Sequence, residues 1–273
     1  MPIRTRLSNA FHRYLKIPYA LNVYEFQKPR KPKATYVFIH GIGNTLHSWD
    51  AVVAKMPEDV RIIGIDLLGF GSSPKPNWAI YNARTQARSV AMTLIGLRMA
   101  QKPIIVGHSL GALVAVELAK RYSIVPKRLV LCSPPFYSPR VDGKKIGTRD
   151  DALRKLYTVA RKYPEQLAKF SPVAVKFGLA NKTLNITSDN VSSYIAALES
   201  SIINQTSLED AVRLKMPIDI FYGAFDPVVI KKHIVSLAKN NKNVTATRLN
   251  VGHEVTGGYV KALSKYLTDF QKS

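Results

Sequence analysis

Pro103-Ile104-Ile105-Val106-Gly107-His108-Ser109-Leu110-Gly111-Ala112-Leu113-Val114-Ala115-Val116-Glu117-Leu118-Ala119-Lys120 is the stretch whose reading decides the fold of this chain. Its first four residues read as a short buried strand, and Ala112 to Lys120 as a helix that is apolar nearly all round. Between them lies Gly-x-Ser-x-Gly, a turn that holds a serine out above a sheet in a sharp strand-to-helix bend. Glycines on both sides of the serine relieve crowding and let the helix pack against the strand. Ser109 then stands near a helix N-terminus, where partial positive charge favours an oxyanion. The strand-turn-helix setting gives the five residues their meaning.

A serine hydroxyl is a poor nucleophile near neutral pH, so it needs a base, and the base needs an orienting carboxylate. Pro217 to Tyr222 reads as a strand that runs into Gly223-Ala224-Phe225-Asp226-Pro227, placing Asp226 on a loop. Val244 to Leu249 reads as a strand that runs into Asn250-Val251-Gly252-His253-Glu254, placing His253 on the next loop. The chain order is nucleophile, acid, base. Asp219 is the nearest rival acid, but it lies inside a strand and is expected to point into or across the sheet. Asp142 is a second rival, displaced beyond the preceding strand. His233 falls in a helical pattern after the acid loop and is expected at the surface. His40 and His108 flank the serine turn and its neighbouring loop, and are expected to brace loops. His12 and His47 take no role.

The developing negative charge needs hydrogen-bond donors. Thr35 to Ile39 is a β-rich run followed at once by His40-Gly41-Ile42-Gly43. The loop after such a strand supplies one backbone N–H and the residue after the nucleophile supplies the other. Ile42 and Leu110 are the candidates, acting through backbone.

With these motifs in hand, the chain resembles the α/β-hydrolase superfamily, of the esterase-like kind with a cap. The likeness covers roughly residues 19–273. It rests on His40-Gly41-Ile42-Gly43, Asp66-Leu67-Leu68-Gly69-Phe70-Gly71-Ser72-Ser73, Gly107-His108-Ser109-Leu110-Gly111, Gly223-Ala224-Phe225-Asp226 and Gly252-His253. The resemblance implies a Ser109-Asp226-His253 triad, an acyl-enzyme on Ser109, and no cofactor. A serine at 109 argues against the dehalogenase and epoxide hydrolase branches, which use aspartate there. The chain departs from its relatives at Asn82 to Arg88, basic here where relatives often carry acids.

Six runs read as buried strands, at 35–39, 61–65, 103–106, 128–132, 217–222 and 244–249, and Tyr19 to Phe26 adds one or two at the sheet edge. Helical patterns separate most of them, so the fold class is α/β: a mainly parallel sheet flanked by helices. The stretch from Pro134 to Met216 is too long for a plain crossover and shows helical patterns near 150–162, 164–170 and 190–203. The resemblance makes it a helical cap over the active site, residues 135–214, inserted into a core of 19–134 and 215–273. Phe136, Tyr137, Tyr157, Phe170, Phe177 and Tyr194 are pocket-wall candidates, or alternatively the cap's own small core.

Charge is the unusual property: +22 from 40 Lys+Arg against 18 Asp+Glu. Such a field attracts polyanions and anionic lipid, yet no nucleic-acid-reading motif is present and specific nucleic-acid binding is not expected. Residues 1–18 form a basic segment in which Ile3, Leu7, Phe11, Tyr14 and Leu15 share one helical stripe. That stripe can lie on an anionic membrane, pack on the core, or belong to a solvated leader. The single cysteine, Cys132, reads as a buried structural thiol. No apolar run is long enough for a membrane span, no secretory signal is legible, and no residue set has metal-ligand spacing. The expectation is a cytoplasmic protein, peripheral to membranes if the basic segment meets them, acting on a small ester or lipid-like substrate without metal or cofactor. Monoacylglycerol and lysophospholipid hydrolysis, carbon–carbon bond hydrolysis, perhydrolysis and an inactive ligand-binding role stay open alongside it.

Overall fold

In the computed structural model, which describes residues 10–137, 158, 160–176, 184 and 186–269, a seven-stranded sheet forms the centre of the molecule. Strands β1 (Val23–Gln27), β2 (Thr35–Ile39), β3 (Arg61–Ile65), β4 (Ile104–His108), β5 (Arg128–Cys132), β6 (Ile218–Gly223) and β7 (Val244–Leu249) lie in the order β1-β3-β2-β4-β5-β6-β7. Only β1 is antiparallel to its neighbour. The helices are α1 (10–14), α2 (Asp50–Val53), α3 (Ala83–Gly96), α4 (Leu110–Arg121), α5 (Pro164–Lys176), α6 (Val191–Ala197), α7 (Ser207–Arg213), α8 (Lys231–Asn240) and α9 (Gly258–Asp269), with a π-helical turn at Leu198–Ile203 continuing α6.

The inner strands are buried at every position except Arg61 and Arg128, which are half-buried, and are mostly apolar because helices cover both faces. Val37, Ile39, Ile63, Ile105 and Leu129 face one way, into a core shared with Val90 of α3 and Leu113 of α4. Tyr36, Phe38, Ile62, Val106 and Val130 face the other, against Trp49, Val52 of α2 and Leu263 of α9. Cys132 belongs to that second core, and burial pushes its thiol up to about 12, as an inert structural side chain requires.

Three sequence expectations change. The 244–249 run is a strand but not a buried one: β7 ends the sheet, and Thr245 to Arg248 are exposed. The edge suits their short or polar side chains. The Tyr19–Phe26 region gives one edge strand, β1, as expected. Phe136 packs in the hydrolase core and the buried Tyr137 donates its hydroxyl hydrogen to Val228 O, whereas Phe170 is exposed; Tyr157 and Phe177 lie outside the described residues. In the N-terminal segment Phe11, Tyr14 and Leu15 are exposed, so this part of the stripe does not pack on the core; Ile3 and Leu7 lie outside the described residues. Of the helical patterns expected between β5 and β6, 164–170 falls within α5 and 190–203 covers α6 and the π turn. Of 150–162 only 158 and 160–162 are described, and they are helical.

The loop after β3 is pinned by one buried carboxylate. Asp66 accepts hydrogen bonds from Leu46 N (2.8 Å), Ser72 N (2.9 Å) and Asn22 Nδ2 (2.9 Å). Gly71 has a φ of +51°, and a Cβ there would stand 2.2 Å from that carboxylate. Beside it, Leu67 N–H donates to His40 Nε2 (2.9 Å), so His40 carries its proton on Nδ1 and donates it to Gly41 O (2.7 Å). Burial keeps this imidazole neutral by lowering its pKa, against smaller opposing effects from the Gly41 hydrogen bond and the Asp66 charge. The β2 and β3 loops are thereby locked together. Asp66→Ala leaves three donors without their acceptor and is expected to cost roughly 3 kcal/mol or more, measured from urea unfolding midpoints, with Asp66→Asn costing less.

Candidate active site

The strand–turn–helix reading places Ser109 directly between β4 and α4. Its backbone has φ +50° and ψ −114°, a strained conformation for a residue with a side chain, held by Ser109 N–H donating to Cys132 O at 2.9 Å. The flanking glycines are required by close approach. A Cβ on Gly107 would lie 2.4 Å from Gly111 O, and one on Gly111 would lie 2.2 Å from Ile39 O. Leu110 is the first residue of α4, whose initial N–H groups have no partner within the helix. Ile42 sits half-buried in the turn closed by Asn44 N–H to Gly41 O (3.2 Å), and a Cβ on Gly41 would be 3.4 Å from Ser109 Cβ. The two backbone donor candidates therefore belong to loops that meet at Ser109.

Asp226 follows β6 and is 1 % exposed. Its Oδ1 accepts from Val228 N (2.7 Å) and Val229 N (3.1 Å), which leaves Oδ2 for the His253 ring, 2.8 Å from Nδ1. Because a carboxylate only accepts, Nδ1 carries the proton and the neutral ring presents a bare Nε2. The two loops are stitched by Ala224 N–H to Leu249 O (2.6 Å) and Phe225 N–H to Val251 O (3.0 Å). A third tie comes from the serine turn: His108 Nε2–H donates to His253 O at 3.0 Å. Burial lowers the His108 pKa, partly opposed by Glu254, so this ring is a neutral donor.

Several rivals resolve into structural roles. Asp219 is ion-paired with Arg128 and accepts from Thr245 Oγ1 (2.6 Å). His233, expected at the surface, is half-buried, and its Nδ1–H donates to Phe136 O at 2.7 Å. His12 bonds Ile17 O and His47 pairs with Asp50. Asp142 lies outside the described residues. Two residues emerge that spacing alone did not single out for the site. Glu254 joins His108 and His253 in a group whose ligand-type atoms lie within 4.8 Å of one another, although each ring is already bonded to protein through one nitrogen. Tyr194 of α6, proposed only as a pocket wall, lies over the Ile42 loop: its ring is 3.1 Å from where a Gly43 Cβ would stand, and Leu184 reaches 2.8 Å from the same point. Burial, then the Glu254 charge, push the Tyr194 hydroxyl up to about 12.

The sequence profile of the alpha/beta hydrolase fold family matches residues 36–172, half of the chain. The chain belongs to this family. Similar sequences include the probable lysophospholipase BODYGUARD 4 of Arabidopsis thaliana, 33 % identical over 119 residues, 43 % of this chain and 28 % of that protein. BODYGUARD 2 of the same plant is 34 % identical over 113 residues, 40 % of this chain and 24 % of that protein. The matched region thus spans less than a third of these relatives' own length. Among solved structures, an esterase from Exiguobacterium antarcticum superposes with a TM-score of 0.75 at 17 % identity, covering 93 % of this chain and 96 % of that one. A thermophilic esterase from Thermogutta terrifontis gives 0.73 at 18 %, covering 92 % and 93 %. At such identities they establish the fold of this hydrolase.

Burial by itself would raise the Asp226 pKa, but the hydrogen bond and charge of His253, with the Val228 and Val229 N–H groups, bring it below its ordinary 3.8. A carboxyl depressed in the folded state stabilises above its unfolded pKa, and that contribution is lost as pH falls through the folded value. The wild-type urea midpoint should therefore fall more steeply below about pH 4 than that of Asp226→Asn.

Proposed function

We propose that this hydrolase cleaves a carboxylic ester through an acyl-enzyme on Ser109, with His253 as base and Asp226 as its orienting acid. The observation that carries the reading is the 2.8 Å Asp226–His253 bond, on loops stitched to the turn that presents Ser109. In this mechanism His253 Nε2 takes the Ser109 proton as Oγ attacks the carbonyl carbon, and Asp226 stabilises the imidazolium. The N–H groups of Ile42 and Leu110 hold the tetrahedral oxyanion. His253 then returns the proton to the leaving alcohol, and water, activated by the same base, releases the acid. No cofactor enters the scheme.

Residues 135–214 act as the cap in this reading. Support comes from Leu184 and Tyr194 over Gly43, Ser193 against Gly69, and Ser201 Oγ donating to Tyr81 O (2.7 Å). Ser109 beneath is only 5 % exposed. A narrower form of the proposal makes the substrate a lysophospholipid, by likeness to the BODYGUARD proteins, which are probable lysophospholipases.

Fluorophosphonate labelling followed by peptide mass spectrometry tests the nucleophile. Stoichiometric modification of Ser109, absent in Ser109→Ala, is the expected result. Ser109→Ala should lower kcat about a millionfold and Asp226→Asn about ten-thousandfold on whichever ester in a short-chain, monoacylglycerol and lysophospholipid panel turns over. Tight ligand retention by folded protein without labelling or turnover would replace the enzyme reading with a binding one.

A further inference from the structure

Away from Ser109, the N-terminal segment folds back on α3 and leaves a cavity of about 290 Å³ between them. Its floor includes Tyr19, Leu68 and Trp78, and its rim carries Arg13, Lys16 and Arg88, with no carboxylate among the described lining residues. The segment is held in place. Arg88 Nη2 donates to Lys16 O (2.9 Å), His12 Nδ1–H donates to Ile17 O (2.9 Å), and the His12 ring stacks on Tyr19 at 3.8 Å between centroids. Lys16, at φ +54°, makes the turn after α1. Phe11, Tyr14 and Leu15, neighbours in the chain of the lining residues His12, Arg13 and Lys16, and the lining residue Ile80 are 50 %, 76 %, 60 % and 65 % exposed. One stripe of α3 extends the pattern, with Arg84, Arg88, Met92 and Ile95 at three- and four-residue spacing; Arg84, Met92 and Ile95 are exposed.

We propose that this face docks on an anionic lipid bilayer, Arg13, Lys16 and Arg88 meeting lipid phosphates while Phe11, Tyr14, Leu15 and Ile80 enter the acyl boundary. The interleaving of the two residue types decides between anionic partners. A polyanion in water would engage the cations but leave Leu15 and Ile80 wet, whereas a bilayer interface accepts both. Long basic side chains rising from an apolar base suit that boundary, as does a tyrosine with one polar end. The proposal goes beyond ester hydrolysis and does not depend on Ser109. It also has a geometric consequence for the site. Leu68 and Ser109 both follow the C-terminal ends of parallel strands, so docking brings the catalytic edge of the sheet toward the membrane.

Because the whole chain carries +22, the test must separate this face from the general field. Co-sedimentation with phosphatidylcholine vesicles, with and without phosphatidylglycerol, compares wild type, Arg13→Glu/Lys16→Glu, Tyr14→Ser/Leu15→Ser, and the charge-matched control Lys239→Glu/Lys242→Glu at the far sheet edge. Expected is binding that needs phosphatidylglycerol, weakened about tenfold or more by each of the first two pairs and within about twofold of wild type in the control. The chain has two tryptophans, and Trp49 is buried in the core, so Trp78 reports on the face itself. Brominated lipid in the anionic vesicles should quench wild-type emission and leave a Trp78→Phe variant unquenched. Equal weakening by both charge-reversal pairs, no vesicle binding at all, or self-association abolished by Tyr14→Ser/Leu15→Ser in place of lipid binding would each overturn the proposal. All the substituted residues except Trp78 are exposed or rim-lying, and circular dichroism with fluorophosphonate labelling confirms that each variant is folded.

Discussion

The close approach of two backbones at Gly111 is the constraint on which the rest of the structure depends. With Ile39 O 2.2 Å from the position of a Cβ, α4 can seat against β2 and β4 only if residue 111 has no side chain. That seating fixes where the first turn of α4 points, and with it the Leu110 N–H. It also forces Ser109 into its left-handed φ, since the chain must reverse within one residue of the strand end. Every residue of α4 from Leu110 to Ala119 is buried, so the helix is anchored along its length and can bear the strain at its start. Buried apolar contacts at one end of the helix thus hold an unfavourable backbone conformation at the other.

Much of this was legible in the sequence because strands covered on both faces leave an unmistakable trace. Thr35–Ile39, Arg61–Ile65 and Arg128–Cys132 read as strands with the bounds the structure gives them, each being a short apolar run bracketed by turn residues. The loops carrying Asp226 and His253 followed from the same logic. Composition could not show which strand lies at the rim. Val244–Leu249 has β-rich residues wherever it sits in a sheet, and only the strand order reveals that it pairs on one side alone among the described residues. Phe136 is ambiguous for a related reason, since the core it joins holds strand residues together with Ala197, Leu198 and Ile202 of the 135–214 stretch. An aromatic just past a strand end can pack upward into an inserted segment or downward onto the sheet, and its local sequence is the same in either case. The links contributed by His108 and Asp66 were least accessible, for they join residues distant in the chain through hydrogen bonds that impose no pattern on neighbouring positions.

Electrostatics within the site are managed by burial and exact partner count rather than by dense charge. Asp226 shares its two oxygens among two backbone N–H groups and one imidazole, so its charge is compensated without a nearby lysine or arginine among its bonded partners. His40 and His108, each buried, serve as neutral hydrogen-bonding groups in the loops on either side of Ser109. No lysine or arginine is buried among the described residues, so their positive charge stays at the periphery, where solvent screens it.

The bond from His108 to the His253 carbonyl joins positions 145 residues apart. Such a contact forms late, since a long intervening chain must be ordered before its ends meet. During synthesis the serine turn leaves the ribosome well before the edge strand β7 and the loop that follows it. Until β7 pairs with β6, the turn at position 109 lacks the tie that His108 makes to the His253 loop. The order of the strands therefore acts as a timer, making the meeting of these loops a late event in folding.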